Sequence, residues 1–273
     1  MIYRLEVNIA LTHQSGDTNN AYDIRKASIV LRRGQSKYIH VRNLYSQYYR
    51  VDKVTQKTGS MSAQDKQAPT KFGVVIFPAF QALDVFGPLD ALNSLSRTTP
   101  LELSLLAATL DPVSTKVEGP GHIGQSVVPT HTFDQCPEDL EVLLVPGGPG
   151  TRNPAITAPI VEFLKRVFPR LRFLLTVCTG SAILAQSGLL DGRRATTNKR
   201  SWEWATSQGP AVQWVRQARW VVDGNVWTSS GISAGIDLMF AFIADQYGEQ
   251  TATQLANRAE YVRNPDSSVD PFA

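Results

Sequence analysis

Between residues 72 and 250 the chain alternates short apolar, β-branched runs with segments of helical period, whereas residues 1–70 sustain neither pattern. The runs 72–77, 140–145 and 171–177 are largely apolar, and 101–107 reads as a further strand. They predict strands of a parallel sheet covered on both faces. Helices are predicted from Gly87-Pro88 to about Ser96, with the proline in the first turn where its missing N–H costs nothing. Two more are predicted from about Ala158 to Phe168 and directly after Cys178. Residues 231–247 are apolar on nearly all sides, so that helix must be covered on most faces. Residues 111–135 read as loops and short strands. With no repeat and no low-complexity linker inside 72–250, the pattern predicts one doubly wound α/β domain with a mostly parallel sheet over residues 71–273. A basic, poorly patterned extension over residues 1–70 precedes it.

Composition narrows the class. A chain of 273 residues with 42% hydrophobic side chains can bury a core without covalent staples. Its two cysteines, Cys136 and Cys178, have no paired spacing, which argues against a disulfide framework or a CxxC metal site. No apolar run reaches the roughly 18–20 residues that span a bilayer, and the N-terminus lacks the order of a secretory signal. The expectation is a cytoplasmic protein without membrane partners. The net charge of +3 divides into +6 over residues 1–60 and −3 over the rest. The basic residues of the first part are interspersed with Glu6, Asp17, Asp23 and Asp52 rather than clustered, so nucleic acid is not the expected partner. A small molecule is.

The chemistry concentrates at Leu174-Leu175-Thr176-Val177-Cys178-Thr179-Gly180-Ser181-Ala182, an apolar strand running into a small-residue helix start. A lone cysteine is commonly a buried packing residue. Here the small flanking residues allow a tight strand-to-helix turn, and the thiol falls at the carboxyl end of a strand, where open α/β sheets bind ligands. Free N–H groups at the turn predict a lowered thiol pKa and make Cys178 the more reactive of the two thiols. Pro146-Gly147-Gly148-Pro149-Gly150 follows another strand; its backbone N–H groups would line an oxyanion-type pocket beside the thiol, or form a simple turn. It lacks the Gly-Lys-Ser/Thr ending of a phosphate loop. Asp84, in Ala82-Leu83-Asp84-Val85-Phe86-Gly87-Pro88, reads equally as a helix N-cap and as a desolvated, proton-handling carboxyl facing the thiol.

Together with Ala195-Thr196-Thr197-Asn198 and the stretch Thr228 to Asp237, these blocks resemble the ThiJ/PfpI superfamily, and within it the isonitrile hydratase branch, over roughly residues 72–262. The resemblance implies a flavodoxin-like, class I glutamine amidotransferase-like fold, no cofactor and a homodimer. It implies Cys178 as nucleophile, Asp84 as its acidic partner and Thr179 as an orienting residue, with Gly147, Gly148 and Asn198 around the bound group. Asn198 departs from the histidine that many bacterial members of the branch carry in this block. Asp237 matches the family's Gly-Ile-Asp block and is expected to be structural. Lys199 and Arg200 read as a solvated helix start. No closely spaced His/Cys/Asp/Glu cluster predicts a metal.

The resemblance supplies the leading function, hydration of an isonitrile to an N-substituted formamide. The alternatives are a glyoxalase or deglycase acting on reactive carbonyls and a redox sensor or chaperone whose cysteine oxidises without turnover. A glyoxalase needs a base near the thiol, and the residue after Cys178 is Thr179 rather than histidine; His13, His40, His122 and His131 lie far from the elbow in sequence, and His131 could still approach through the fold. A ligand-sensing half of a transcription regulator is disfavoured, because no helix-turn-helix segment is expected after residue 250.

Overall fold

Strands that read as continuous apolar runs form the centre of the molecule. The computed structural model describes residues 67–273 and, in a separate unit spanning Met1–Gln64, three two-residue strands, Val7–Asn8, Ser28–Ile29 and Ile39–His40, paired antiparallel in that order. The rest of the expected extension, His13 included, lies outside the described residues.

The main unit is built on β1 (Lys71–Val75), β2 (Glu102–Ala107), β3 (His131–Thr132), β4 (Val142–Val145), β5 (Phe173–Thr176), β6 (Trp220–Asp223) and β7 (Val226–Ser229). They form one sheet in the order β6-β7-β5-β4-β1-β2-β3. Every neighbouring pair is parallel except the edge hairpin β6–β7. The chain leaves β1 toward one edge and returns to β4 on the other side, so the winding reverses between β1 and β4. The carboxyl ends of the strands at such a reversal open a crevice, because the loops leaving them diverge to opposite faces. Register brings the crevice strands level: Thr176 lies opposite Val145 on β4 and Thr228 on β7.

The helices are α1 (Ala82–Leu95), α2 (Pro154–Val167), α3 (Gly180–Gln186), α4 (Trp202–Ser207), α5 (Ala234–Tyr247) and α6 (Glu249–Arg258). As its composition requires, α5 is covered on most sides: it packs on β7, α1 and α6, and Phe242 receives the edges of Phe72, Phe173 and Trp227 from three different strands, at centroid distances of 6.4, 5.1 and 5.4 Å. Burying each such ring contributes about 1.5–3 kcal/mol, so this contact ties the helical layer to the sheet.

Two helices begin earlier than the sequence predicts. α1 starts at Ala82 with Gln81 as its cap, and Pro88 lies inside it. The proline is tolerated because its missing N–H forgoes only the bond to the Asp84 carbonyl, one turn back. α2 starts at Pro154, where Asn153 Oδ1 accepts from the Ala155 N–H, and Pro159 sits in its interior.

Candidate active site

The crevice is built from the segments that follow β1, β4, β5 and β7. The chain leaves β5 through Val177, whose N–H donates to the Val145 carbonyl at 3.0 Å, and then turns at Cys178 with φ of +58°. A residue with a Cβ resists this left-handed conformation by about 1–2 kcal/mol, so the turn must be held. The Cys178 N–H donates to the Ser230 carbonyl at 3.0 Å, while its carbonyl accepts from the hydroxyls of Ser181 at 3.0 Å and Thr197 at 3.1 Å. The predicted sharp elbow is therefore present and fastened from three sides.

Gly180 makes the elbow sterically possible. A Cβ there would lie 2.3 Å from the Val145 carbonyl oxygen and 2.8 Å from that of Pro146, both backbone atoms. Gly180→Ala is expected to cost roughly 3 kcal/mol, because neither carbonyl can rotate away as a side chain would. Thermal denaturation should show a Tm lower by roughly 6–12 °C; an unchanged Tm would mean that the elbow opens freely.

Asp84 is completely buried. It is the third residue of α1 and caps nothing in its own helix, which removes the N-cap reading. Its Oδ2 instead accepts the Gly147 N–H at 2.9 Å. Oδ1 is buried without a regular hydrogen bond, and the Cys178 thiol is the side chain whose contact steadies the carboxylate. Burial pushes the Asp84 pKa up to about 7, against the opposing pull of the Gly147 N–H and the thiol. An acid of this strength holds its proton below neutrality and releases it just above.

Cys178 is 6% exposed. Contrary to the lowered pKa expected at the elbow, burial first and the neighbouring Asp84 charge second push the thiol up to about 12. The Ile232 N–H, the Thr179 N–H and the Asn198 side chain pull the other way. α3 has only seven residues, and the benefit of its N-terminus is smaller than the loss of water. Cys136, next to Arg170, is also raised by burial, so neither thiol is a standing thiolate. Any reaction at Cys178 must take its proton away as it proceeds.

The Gly-rich turn differs from the expected oxyanion loop. The Gly147 N–H is committed to Asp84, and the Gly148 N–H to Thr179 Oγ1 at 3.0 Å. Thr179 Oγ1 also receives the Thr151 hydroxyl at 3.2 Å, so the Thr179 side chain braces the turn and only its backbone N–H addresses the thiol. Gly147 thus positions the acid, and Gly148 ties the turn to the Thr179 hydroxyl. The groups that favour a charged sulfur are the N–H groups of Thr179 and Ile232 and the Asn198 side chain. Ile232 was not anticipated: its contribution is a backbone group in a strained residue with φ of +25°, and its side chain carries no signal of it. Asn198 performs two tasks, its Oδ1 accepting the Ser201 N–H at 3.1 Å while its side chain pulls the thiol pKa down.

His131 lies on the edge strand β3, four strands from β5, and is not brought to the thiol; His122 contacts the carbonyls of Val117 and Glu118. Asp237 has the expected structural role, accepting from Arg219 at 2.7 Å, from the Tyr261 hydroxyl at 2.9 Å and from the Asn264 N–H at 2.9 Å. Lys199, expected in solvent, is buried: its side chain is 5% exposed and stands 3.4 Å from Asp270, itself 1% exposed. Among the described residues no cluster of His, Cys, Asp and Glu side chains fits a metal ion, and no helix is long and apolar enough to cross a membrane.

A mostly parallel, doubly wound sheet whose reversal crevice joins a buried carboxyl to a cysteine elbow defines a thiol-centred, flavodoxin-like α/β domain. Residues 70–245 match the model of the DJ-1/PfpI family, and the chain belongs to that family. It is 33% identical over 195 residues to the isonitrile hydratase of Pseudomonas putida, a match covering 71% of this chain and 80% of that protein. A deglycase of Pyrococcus horikoshii is 32% identical over 117 residues, 42% of this chain and 68% of that protein. The crystal structure of a ThiJ/PfpI family protein from Pseudomonas syringae superposes with a TM-score of 0.61 at 27% identity, over 78% of this chain and 85% of that one.

Proposed function

We propose that the protein is a cysteine-dependent hydro-lyase that adds water to an isonitrile, R–N≡C, to give an N-substituted formamide. The observation that carries this reading is Asp84: a fully buried carboxyl with a pKa of about 7, in contact with a thiol held protonated. The similarity to an isonitrile hydratase supplies the substrate class. An isonitrile carbon accepts a proton and a nucleophile at the same atom, and the pair offers both. Asp84 gives its proton to the terminal carbon, the Cys178 sulfur bonds to that carbon, and the thiol proton passes to the vacated carboxylate. The product is a thioimidate, R–N=CH–S–Cys178. Water then bonds to the same carbon, one of its protons going to nitrogen through Asp84. The carbon–sulfur bond breaks, the sulfur recovers the second proton, and R–NH–CHO leaves. A general acid works best when its pKa lies near the operating pH, which Asp84 meets. The N–H groups of Thr179 and Ile232 and the Asn198 side chain steady the sulfur while it carries charge.

The similarity to a deglycase favours a second reading, reaction of Cys178 with a carbonyl to form a hemithioacetal. Among the described residues of the main unit its proton transfers fall to Asp84, since neither His122 nor His131 is placed at the thiol. One experiment separates the two. Full-length protein is incubated with alkyl and aryl isonitriles and, in parallel, with methylglyoxal, and formamide and lactate are measured. Formamide that disappears in Cys178→Ala is the expected result. Lactate alone would move the protein to the carbonyl reading, and neither product would leave a redox-sensing cysteine as the better account.

A further inference from the structure

The wall of the crevice opposite Asp84 is held by a part of the chain remote from it in sequence. Beyond α6, residues 259–273 run back along the segment 217–219. The Arg219 N–H donates to the Ser267 carbonyl at 2.7 Å, and Gln217 Nε2 donates to the carbonyls of Ser268 at 3.0 Å and Asp270 at 3.3 Å. Near its root the strap is pinned by Asp237, which takes the Tyr261 hydroxyl and the Asn264 N–H. Near its end Asp270 is buried against the Lys199 ammonium.

Lys199 converts this anchorage into geometry at the thiol. Its Nζ donates to Thr196 Oγ1 at 2.8 Å, to the Ala218 carbonyl at 2.9 Å and to the Thr197 carbonyl at 3.2 Å. The Thr197 hydroxyl in turn donates to the Cys178 carbonyl at 3.1 Å, and the side chain of Asn198, between Thr197 and Lys199, favours the charged form of the sulfur. One buried cation therefore ties Thr196 and Thr197, the latter a fastener of the elbow, to Ala218. A buried ammonium needs both charge compensation and hydrogen bonds, and the only carboxylate paired with it among the described residues is Asp270. Arg216, the other charged group facing it, is repulsive.

We propose that Asp270 and Lys199 are positioning residues for the Cys178 site, the C-terminal strap setting the placement of the Asn198 donor on the sulfur. The proposal rests on the reading that Cys178 is the reacting group. It is tested on the thiol itself, so that failure to hydrate isonitriles and failure of the strap are read separately.

The test is the pH profile of Cys178 alkylation by iodoacetamide in the full-length protein, followed by peptide mass spectrometry with Cys136 as internal control. Asp84 faces the thiol in every variant and contributes equally throughout. A hydrogen bond to a charged sulfur is worth about a factor of ten or more. Asn198→Ala is thus expected to slow Cys178 labelling at a given pH by roughly tenfold, displacing the profile to higher pH. Asp270→Asn should do the same while leaving Cys136 unchanged, and the double variant should be no slower than either single one, since both remove one interaction. Should Asp270→Asn fail to fold, the pair exchange Lys199→Met with Asp270→Leu removes the uncompensated charge and is expected to give the same displacement. A Cys178 profile that overlies the wild type in the folded strap variant, or slowing that multiplies in the double variant, overturns the proposal.

Discussion

Asp84→Asn is expected to lower formamide formation by a factor of about 10² or more while making the protein more stable at pH 8. The amide preserves the acceptor for the Gly147 N–H but has no proton to give to the substrate carbon, and loss of a general acid carries a penalty of that size. The stability gain follows from burial. Asp84 is raised from 3.8 to about 7 in the folded protein, so between these values the native state binds a proton that the unfolded chain has released. The contribution is fully present below pH 3.8 and is lost as pH rises through about 7. Above that the native state carries a buried carboxylate, at a cost on the order of 4 kcal/mol. The amide never acquires this charge. The Tm difference between variant and wild type should therefore widen from about pH 4 to pH 7 and then level, reaching on the order of 10 °C at pH 8. Other titrating groups cancel in the difference. Wild-type turnover should fall above about pH 7 as the acid loses its proton. Near-wild-type turnover in Asp84→Asn would remove Asp84 from the mechanism, and a Tm difference independent of pH would show that the carboxyl is not desolvated.

Legibility from sequence follows how each group does its work. The strands β1, β4 and β5 were visible because a strand buried on both faces must be apolar at every position, and the Cys178 elbow because a tight turn demands small neighbours. Asp84 is legible as an acid among apolar residues and, in one of its two readings, as a carboxyl facing the thiol; the cap reading fails because Gln81 opens the helix three residues earlier. The oxyanion reading of Gly147 and Gly148 failed for a different reason. Glycine reports that backbone can come close, not which way its N–H points, and here both point at side chains that need bracing. The Ile232 N–H was invisible because any residue carries one. The edge hairpin turns at Gly224-Asn225, where Gly224 has φ of +59°, but each of its strands is four residues long and ends in a polar residue, so neither makes a long unbroken apolar run. Lys199 was misplaced in solvent because its neutralising carboxylate is 71 positions away, beyond any local pattern.

Replacing Cys178 should reverse the usual order of alanine and glycine. Both variants lose the sulfur, and formamide formation is expected to fall to background in each. Their stabilities differ through the backbone. At φ of +58° alanine keeps the Cβ and its strain, whereas glycine accepts the left-handed turn, so Cys178→Gly should be more stable than Cys178→Ala by about 1 kcal/mol. In an ordinary helix position the sign is opposite: Ala182→Gly, at a fully buried residue of α3, should cost about 1 kcal/mol or more. The comparison isolates the strain that presents the thiol to the crevice, since both substitutions leave the same contacts of sulfur unmade. Both also remove the contact that holds Asp84 down, so its pKa should rise further and the decline of stability with pH should extend to higher pH than in the wild type. Denaturant melts of the three proteins over pH 5–9 measure both effects together. Cys178→Ala equal to or more stable than Cys178→Gly would mean that the elbow relaxes once the sulfur is gone, and that the strained turn is maintained by the thiol's own contacts rather than by the surrounding hydrogen bonds.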